Sequence, residues 1–106
     1  EQIEQLMKED KIYLQADLKI ADIAQRLNVP SYQLSYLFTQ HMQTTFYDYL
    51  YHFRIEEFKR RVADGDSKRY TVESIAQQSG FNSRASFFRV FKKKVGMTPN
   101  EYIRNQ

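Results

Sequence analysis

Cysteine is absent from the 106 residues. That excludes a disulfide framework and any cysteine-based zinc site, and it fits a reducing compartment. Glycine and proline are scarce, confined to Gly65, Gly80, Gly96, Pro30 and Pro99. With so few breakers and apolar residues recurring at 3.6-type spacing, the sequence predicts an all-α domain. No apolar run approaches the ~18–20 residues of a membrane span, and no signal-peptide pattern opens the chain. The first residue is Glu1 and not methionine, so the chain is expected to be a piece of a longer protein. A hydrophobic fraction of 42% and an aromatic fraction of 15% argue against disorder. The length suits one small domain, or two very small subdomains sharing a core.

Charge is unevenly distributed. Residues 1–53 hold four Lys/Arg and seven Asp/Glu, a net of −3, while residues 54–106 hold twelve and six, a net of +6. The second half has the electrostatic footprint of a polyanion binder, although a solvated basic face would look the same.

The periodicity predicts seven helices, over about 2–12, 19–27, 31–42, 45–63, 71–79, 84–95 and from Pro99 onward. Asn28 tolerates the left-handed conformation that ends helices, Gly80 stops the fifth, Gly96 ends the sixth, and Pro99 sits in the first turn of the last. Residues 63–70, ADGDSKRY, read as the one clear loop.

A degenerate repeat runs through this pattern. Ile23-Ala24-Gln25 returns as Ile75-Ala76-Gln77, Asn28-Val29 as Gly80-Phe81, and Ser31 as Ser83. After one inserted residue, Leu34, Leu37 and Phe38 match Phe87, Val90 and Phe91, and later Thr45 and Tyr49 match Thr98 and Tyr102. Each copy is a short helix, a tight turn and a longer helix, the layout of a helix-turn-helix, with a small alanine where the two helices cross. The expected organisation is an N-terminal helix and lead-in (1–16), a first helix-turn-helix (17–44), a linker helix (45–63), and a second helix-turn-helix with a C-terminal helix (64–106).

The stretch from Arg84 to Gly96 carries three phenylalanines and five positive charges with no negative one. Projected at 100° per residue, Phe87, Val90, Phe91 and Val95 fall on an inner side. Ala85, Ser86, Arg89, Lys92 and Lys93 fall outside, with Arg84 in the exposed first turn and Phe88 at the border. Small Ala85 and Ser86 let the backbone approach a base edge, where an arginine can bond guanine O6 and N7. Asn82 and Ser83 stand at the helix N-terminus, where they can cap the helix and face phosphate. In the third helix Leu34, Leu37, Phe38 and Met42 point inward. Tyr32, Gln33, Tyr36, Thr39 and Gln40 point outward, with Ser35 at the border. That outer face is uncharged, and suits either base edges or another protein.

These residues resemble the AraC/XylS family of bacterial transcription regulators, in its two-motif DNA-binding domain. The resemblance spans about residues 17–104. It rests on Gly80, Phe81, Asn82, Ser83, Phe87, Arg89, Phe91, Lys92, Gly96, Thr98, Pro99 and Tyr102, on Leu18, Ile23, Ala24, Leu27, Leu34 and Phe38 in the first motif, and on Phe46, Tyr49, Leu50, Arg54 and Glu56 in the linker helix. Asn28 and Gln43 stand where the family usually has glycine. The resemblance implies homeodomain-like helix-turn-helix units whose third and sixth helices lie in successive major-groove segments of double-stranded DNA. It implies Tyr32, Gln33, Ser35, Tyr36, Arg84, Ala85, Phe88 and Arg89 as base-facing. It implies Ser31, Gln40, Thr45, Asn82, Ser83, Ser86, Lys92, Lys93 and Thr98 as phosphate contacts. It further implies a cytoplasmic protein acting on RNA polymerase, with an N-terminal sensor or dimerisation domain outside this chain and no cofactor or metal.

Other classes have less support. His41 and His52 lie on different predicted helices with no metal-ligand spacing. Glu56 and Glu57 point about 100° apart and read as a solvated helix face. A basic amphipathic helix could instead lie on a membrane surface or a partner protein. The match of Phe87 and Phe91 to a folded core argues against membrane contact by this fragment.

Overall fold

The computed structural model describes residues 2–106. Among the described residues there are seven α-helices and no strand: α1 (Gln2–Lys8), α2 (Ile20–Leu27), α3 (Ser31–Tyr36), α4 (Phe46–Ala63), α5 (Val72–Gln78), α6 (Arg84–Val95) and α7 (Pro99–Arg104). Short 3₁₀ turns cover Ile12–Leu14 and Asp66–Lys68, and a π-helical turn over Leu37–His41 extends α3.

Helix starts are fixed by local chemistry. The hydroxyls of Thr45, Thr71, Ser83 and Thr98 accept from the backbone N–H three residues on, at 3.0, 3.0, 3.1 and 3.1 Å. Each such cap is worth about 1 kcal/mol. Two boundaries differ from the sequence expectation. The first helix stops at Lys8 and not near residue 12, because Lys11 takes the left-handed conformation (φ 49°) and starts a separate 3₁₀ turn. The third helix widens into the π turn, where the Thr39 hydroxyl donates back to the Ser35 carbonyl at 3.0 Å. Asn28 (φ 58°) and Gln43 (φ 53°) both adopt the left-handed conformation without being glycine. Asparagine tolerates that region well, and glutamine does so at some strain.

The repeat is real in three dimensions. In the first motif Val29 N–H donates to the Ala24 carbonyl at 3.0 Å, and in the second Phe81 N–H donates to the Ala76 carbonyl at 3.1 Å. Both Ile-Ala pairs are buried.

The two motifs do not share a core, contrary to the sequence expectation. One buried cluster gathers α1, the first motif and Phe46 and Leu50 of α4. A second gathers Ile55, Phe58 and Val62 of α4 with the second motif. At 100° per residue, Phe46, Leu50 and Phe53 lie on one side of α4, and Ile55, Phe58 and Val62 lie on roughly the opposite side. The linker helix therefore has no single apolar stripe. It hands the chain from one core to the other, and the molecule measures 43 × 24 × 22 Å.

Arg54 and Glu57 occupy the changeover. Arg54 is 5% exposed and donates from Nε to the Tyr13 carbonyl (2.7 Å) and from Nη2 to the Gln15 carbonyl (2.8 Å). Burial pulls its guanidinium down from its ordinary value, but arginine starts so far above neutrality that it stays charged. Glu57 is 4% exposed, which corrects the solvated face expected for Glu56-Glu57; only Glu56 is exposed. Glu57 lies 2.8 Å from both Arg60 Nη2 and Arg61 Nε, and accepts from the Tyr13 hydroxyl at 3.4 Å. Burial pushes its carboxyl up, but the hydrogen bond and charge of Arg60, with the charge of Arg61, prevail and hold it below the usual carboxylate range.

Candidate nucleic-acid interface

Each reading-helix candidate is held by an inner row and leaves an outer row to solvent. In α6, Phe87, Val90 and Phe91 are buried, and Arg84, Ala85, Arg89, Lys92, Lys93 and Lys94 are exposed; Ser86 and Phe88 are half-buried. In α3 and its π extension, Leu34 and Phe38 are buried, while Ser31, Tyr32, Gln33, Ser35, Tyr36, Thr39 and Gln40 are exposed. Tyr32 and Tyr36 are 73% and 61% exposed, unusually open for large rings. Tyr36 is steadied by an edge contact with His41, ring centres 5.9 Å apart.

The two arginines of α6 differ. Among the described residues Arg89 has no hydrogen-bond or ion-pair partner. Arg84 is held from two sides: Nε donates to Glu73 Oε2 at 2.8 Å, and its guanidinium carbon lies 4.5 Å from the Phe88 ring centre. Phe88 thus supports an arginine, and its own ring is partly packed against Phe87, 5.4 Å away. The hydrogen bond from Arg84 holds the Glu73 carboxyl below its usual range.

The phosphate-contact candidates divide likewise. Ser83, Thr45 and Thr98 use their oxygens as caps, which leaves each hydroxyl hydrogen free to be donated. The Thr98 N–H is taken by Glu101 Oε1 at 2.8 Å, so that helix end offers an anion less. The hydrogen bond from the Thr98 backbone N–H holds the Glu101 carboxyl below its usual range.

Two clefts flank α4 between the motifs. One, about 240 Å³, is lined by Thr44 just before α4, by Asp48 in its first turn, and by Arg89, Lys93 and Lys94 of α6. The other, about 270 Å³, brings Lys19 and Tyr47 to face Asn82 and Ser86. The fold thus joins the N-terminus of α4 to the basic face of α6, a juxtaposition no helical projection could give. Sequence reasoning missed Lys19, Tyr47 and Glu73. Lys94 was signalled by the lysine run itself.

Residues 14–105 match a family model described as a helix-turn-helix domain. The chain belongs to the AraC-type helix-turn-helix family. This AraC-type domain is a DNA-binding domain of the kind carried by transcriptional regulators. It is 32% identical over 92 residues to an uncharacterized HTH-type transcriptional regulator of Staphylococcus aureus (strain COL), covering 87% of this chain and 12% of that protein. It is 31% identical over 85 residues to the melibiose operon regulatory protein of Escherichia coli (strain K12), covering 80% of this chain and 27% of the regulator. The chain therefore spans only a small part of these relatives. Among solved structures, the C-terminal domain of AraT, a response regulator from Geobacillus stearothermophilus, aligns with a TM-score of 0.78 at 29% identity, over 91% of this chain and 77% of that one. The C-terminal domain of the two-component response regulator yesN from Fusobacterium nucleatum aligns with a TM-score of 0.73 at 26% identity, over 97% and 99%. A Listeria innocua protein of unknown function shares the fold, with a TM-score of 0.83 at 24% identity, over 99% and 94%.

Proposed function

We propose that this domain binds double-stranded DNA sequence-specifically by placing α3 and α6 in two successive major-groove segments. The observation that carries the reading is the same turn, repeated at both ends of one linker helix, each followed by a helix with an exposed outer row. An 18-residue helix is ~27 Å long. A 43 Å long axis accommodates two readers one DNA turn apart, ~34 Å.

Within this reading Arg84, Ala85, Phe88 and Arg89 face or support contacts to bases, and Tyr32, Gln33, Ser35 and Tyr36 do so more weakly in the other segment. Asn82, Ser83, Ser86, Lys92 and Lys93 hold phosphates beside α6, as do Ser31, Gln40 and Thr45 beside α3. The domain is a binding module and not an enzyme. It acts in the cytoplasm on RNA polymerase, under the control of an N-terminal sensor or dimerisation domain elsewhere in the protein.

The test is footprinting of this domain on a site selected from random DNA, with affinity measured over a salt series. Protection of two adjacent groove segments by one chain is expected. The logarithm of affinity should fall steeply with that of salt, as for release of ~5–8 counterions. A palindromic footprint needing two chains, or a flat salt response, rejects the reading.

A further inference from the structure

The two motifs sit in separate cores on opposite faces of α4, with two clefts beside the helix that share Tyr51. A continuous helix fixes their separation along its axis. It does less to stop a module attached to one face from rocking about that contact. A second point of attachment lies beside α4. The Arg54 guanidinium bridges the carbonyls of Tyr13 and Gln15, in the lead-in to the first motif. Gly80, in the turn of the second motif, presses against the same spot. A Cβ there would meet the Tyr13 carbonyl oxygen and would lie 2.7 Å from Arg54 Nε and 3.1 Å from its Cδ. Gly80 has φ 108°, so glycine is needed for conformation as well as for space. Glu57 and Tyr13 close the ring one turn further on.

We infer that this three-way junction of Arg54, the Tyr13–Gln15 carbonyls and Gly80 sets the relative orientation of α3 and α6, and so the half-site spacing that the domain accepts. Arg54 is then a positioning residue. It touches no base, and it acts on specificity by fixing where two readers stand. The spacing part rests on the two-groove reading above; the orientation part does not. Spacing is a sharp variable because each added base pair shifts the second segment by ~3.4 Å and turns it by about a tenth of a helical turn.

The experiment has one arm without DNA and one with it. The chain has no cysteine, so Gln25→Cys and Gln77→Cys, at equivalent exposed positions of α2 and α5, give two unique spin-label sites. Their distance distribution should be narrow in the parent domain and clearly broader with Arg54→Met, which keeps the unbranched apolar stem and removes both hydrogen bonds. Gly80→Ala keeps every donor and displaces the junction, so it should shift or broaden the distance. In the DNA arm, the two segments of the selected site are moved apart by one or two base pairs. Parent affinity should fall roughly tenfold or more at each step, the size of losing a base-pair contact. Arg54→Met should bind an isolated segment as the parent does but show a much flatter spacing response. An unchanged distance in folded Arg54→Met overturns the proposal. If that variant does not fold, an unchanged distance in Gly80→Ala overturns it. A parent-like spacing response in a variant with a broadened distance overturns the spacing role. Failure of the parent to bind any DNA specifically rejects the two-groove reading, and the distance arm still decides the orientation claim.

Discussion

Glu73 Oε2 accepts from Arg84 Nε at 2.8 Å, so an acidic side chain stands at the start of the basic helix α6. Its charge opposes DNA phosphates, yet it occupies only one edge of the guanidinium. The Nη edge is left to face a base, with Phe88 beneath the plane. Glu73→Gln is therefore expected to act in opposite directions on two measurements. Binding to random DNA should tighten slightly, as a repelling charge is lost. Discrimination at the base pair read by Arg84 should weaken several-fold, because the side chain is no longer aimed. Competition gel shifts with specific and random DNA measure both. Equal changes in the two would show that Glu73 acts only through net charge.

The same pair has a pH signature. Glu73 is held below its ordinary value by Arg84, so the pair is intact above the usual carboxylate range. It is lost only as pH falls through the lowered value. In an NMR titration, Arg84→Ala should move the Glu73 midpoint up toward the ordinary ~4.3. An unmoved midpoint would mean that the two side chains are not paired in solution.

Arg89 and Lys93 should separate reading from holding. Arg89→Ala is expected to cost about 1–3 kcal/mol on the preferred site and to relax preference at one base position. Lys93→Ala should weaken all sequences alike, because phosphate carries no sequence information. Tyr36→Ala should weaken binding modestly and only at the other half of the footprint. Equal loss on specific and random DNA for Arg89→Ala would make Arg89 a backbone contact.

Glu57 should report on the fold and not on the interface. Its carboxyl is lowered in the folded state, so it contributes stability that is present above the unfolded value and lost as pH falls through the folded one. Glu57→Gln should destabilise by about 1–3 kcal/mol near neutral pH, and the difference from the parent should shrink in acid. Urea denaturation at pH 7 and pH 3 checks this. A pH-independent difference would point to packing and not to charge.

Phe91 guards against mistaking core for site. It is fully buried against Phe58, Phe87 and Tyr102, with ring centres 5.4–5.6 Å away. Phe91→Ala should cost roughly 3–5 kcal/mol of stability, and its DNA defect should track unfolding in thermal melts. Normal melting with no binding would overturn the assignment of faces.

What the sequence determined by itself was the part of the structure set within one or two helical turns. The 3.6 period separates Phe87, Val90 and Phe91 from Arg89, Lys92 and Lys93 before any tertiary contact forms. Ser83, Thr98, Asn28 and Gly96 mark helix ends because their side chains, or the lack of one, meet backbone groups a few residues away. The repeated Ile-Ala pairs disclose the duplicated motif for the same reason.

Only the tertiary structure decided what depends on contacts far apart in the chain. Arg54 finds the Tyr13 carbonyl 41 residues away, and Glu57 the Tyr13 hydroxyl 44 residues away. Both look like surface charges on a helix read alone, and both are buried because α4 changes the core it serves at that point. Glu73 meets Arg84, and Thr44 lines the same cleft as Lys93, across gaps that no helical projection spans. Side-chain spacing on one helix is a local geometry carried by the sequence. The buried polar bonds that join α4 to the lead-in of the first motif link segments far apart in the chain, and they exist only once both cores have formed.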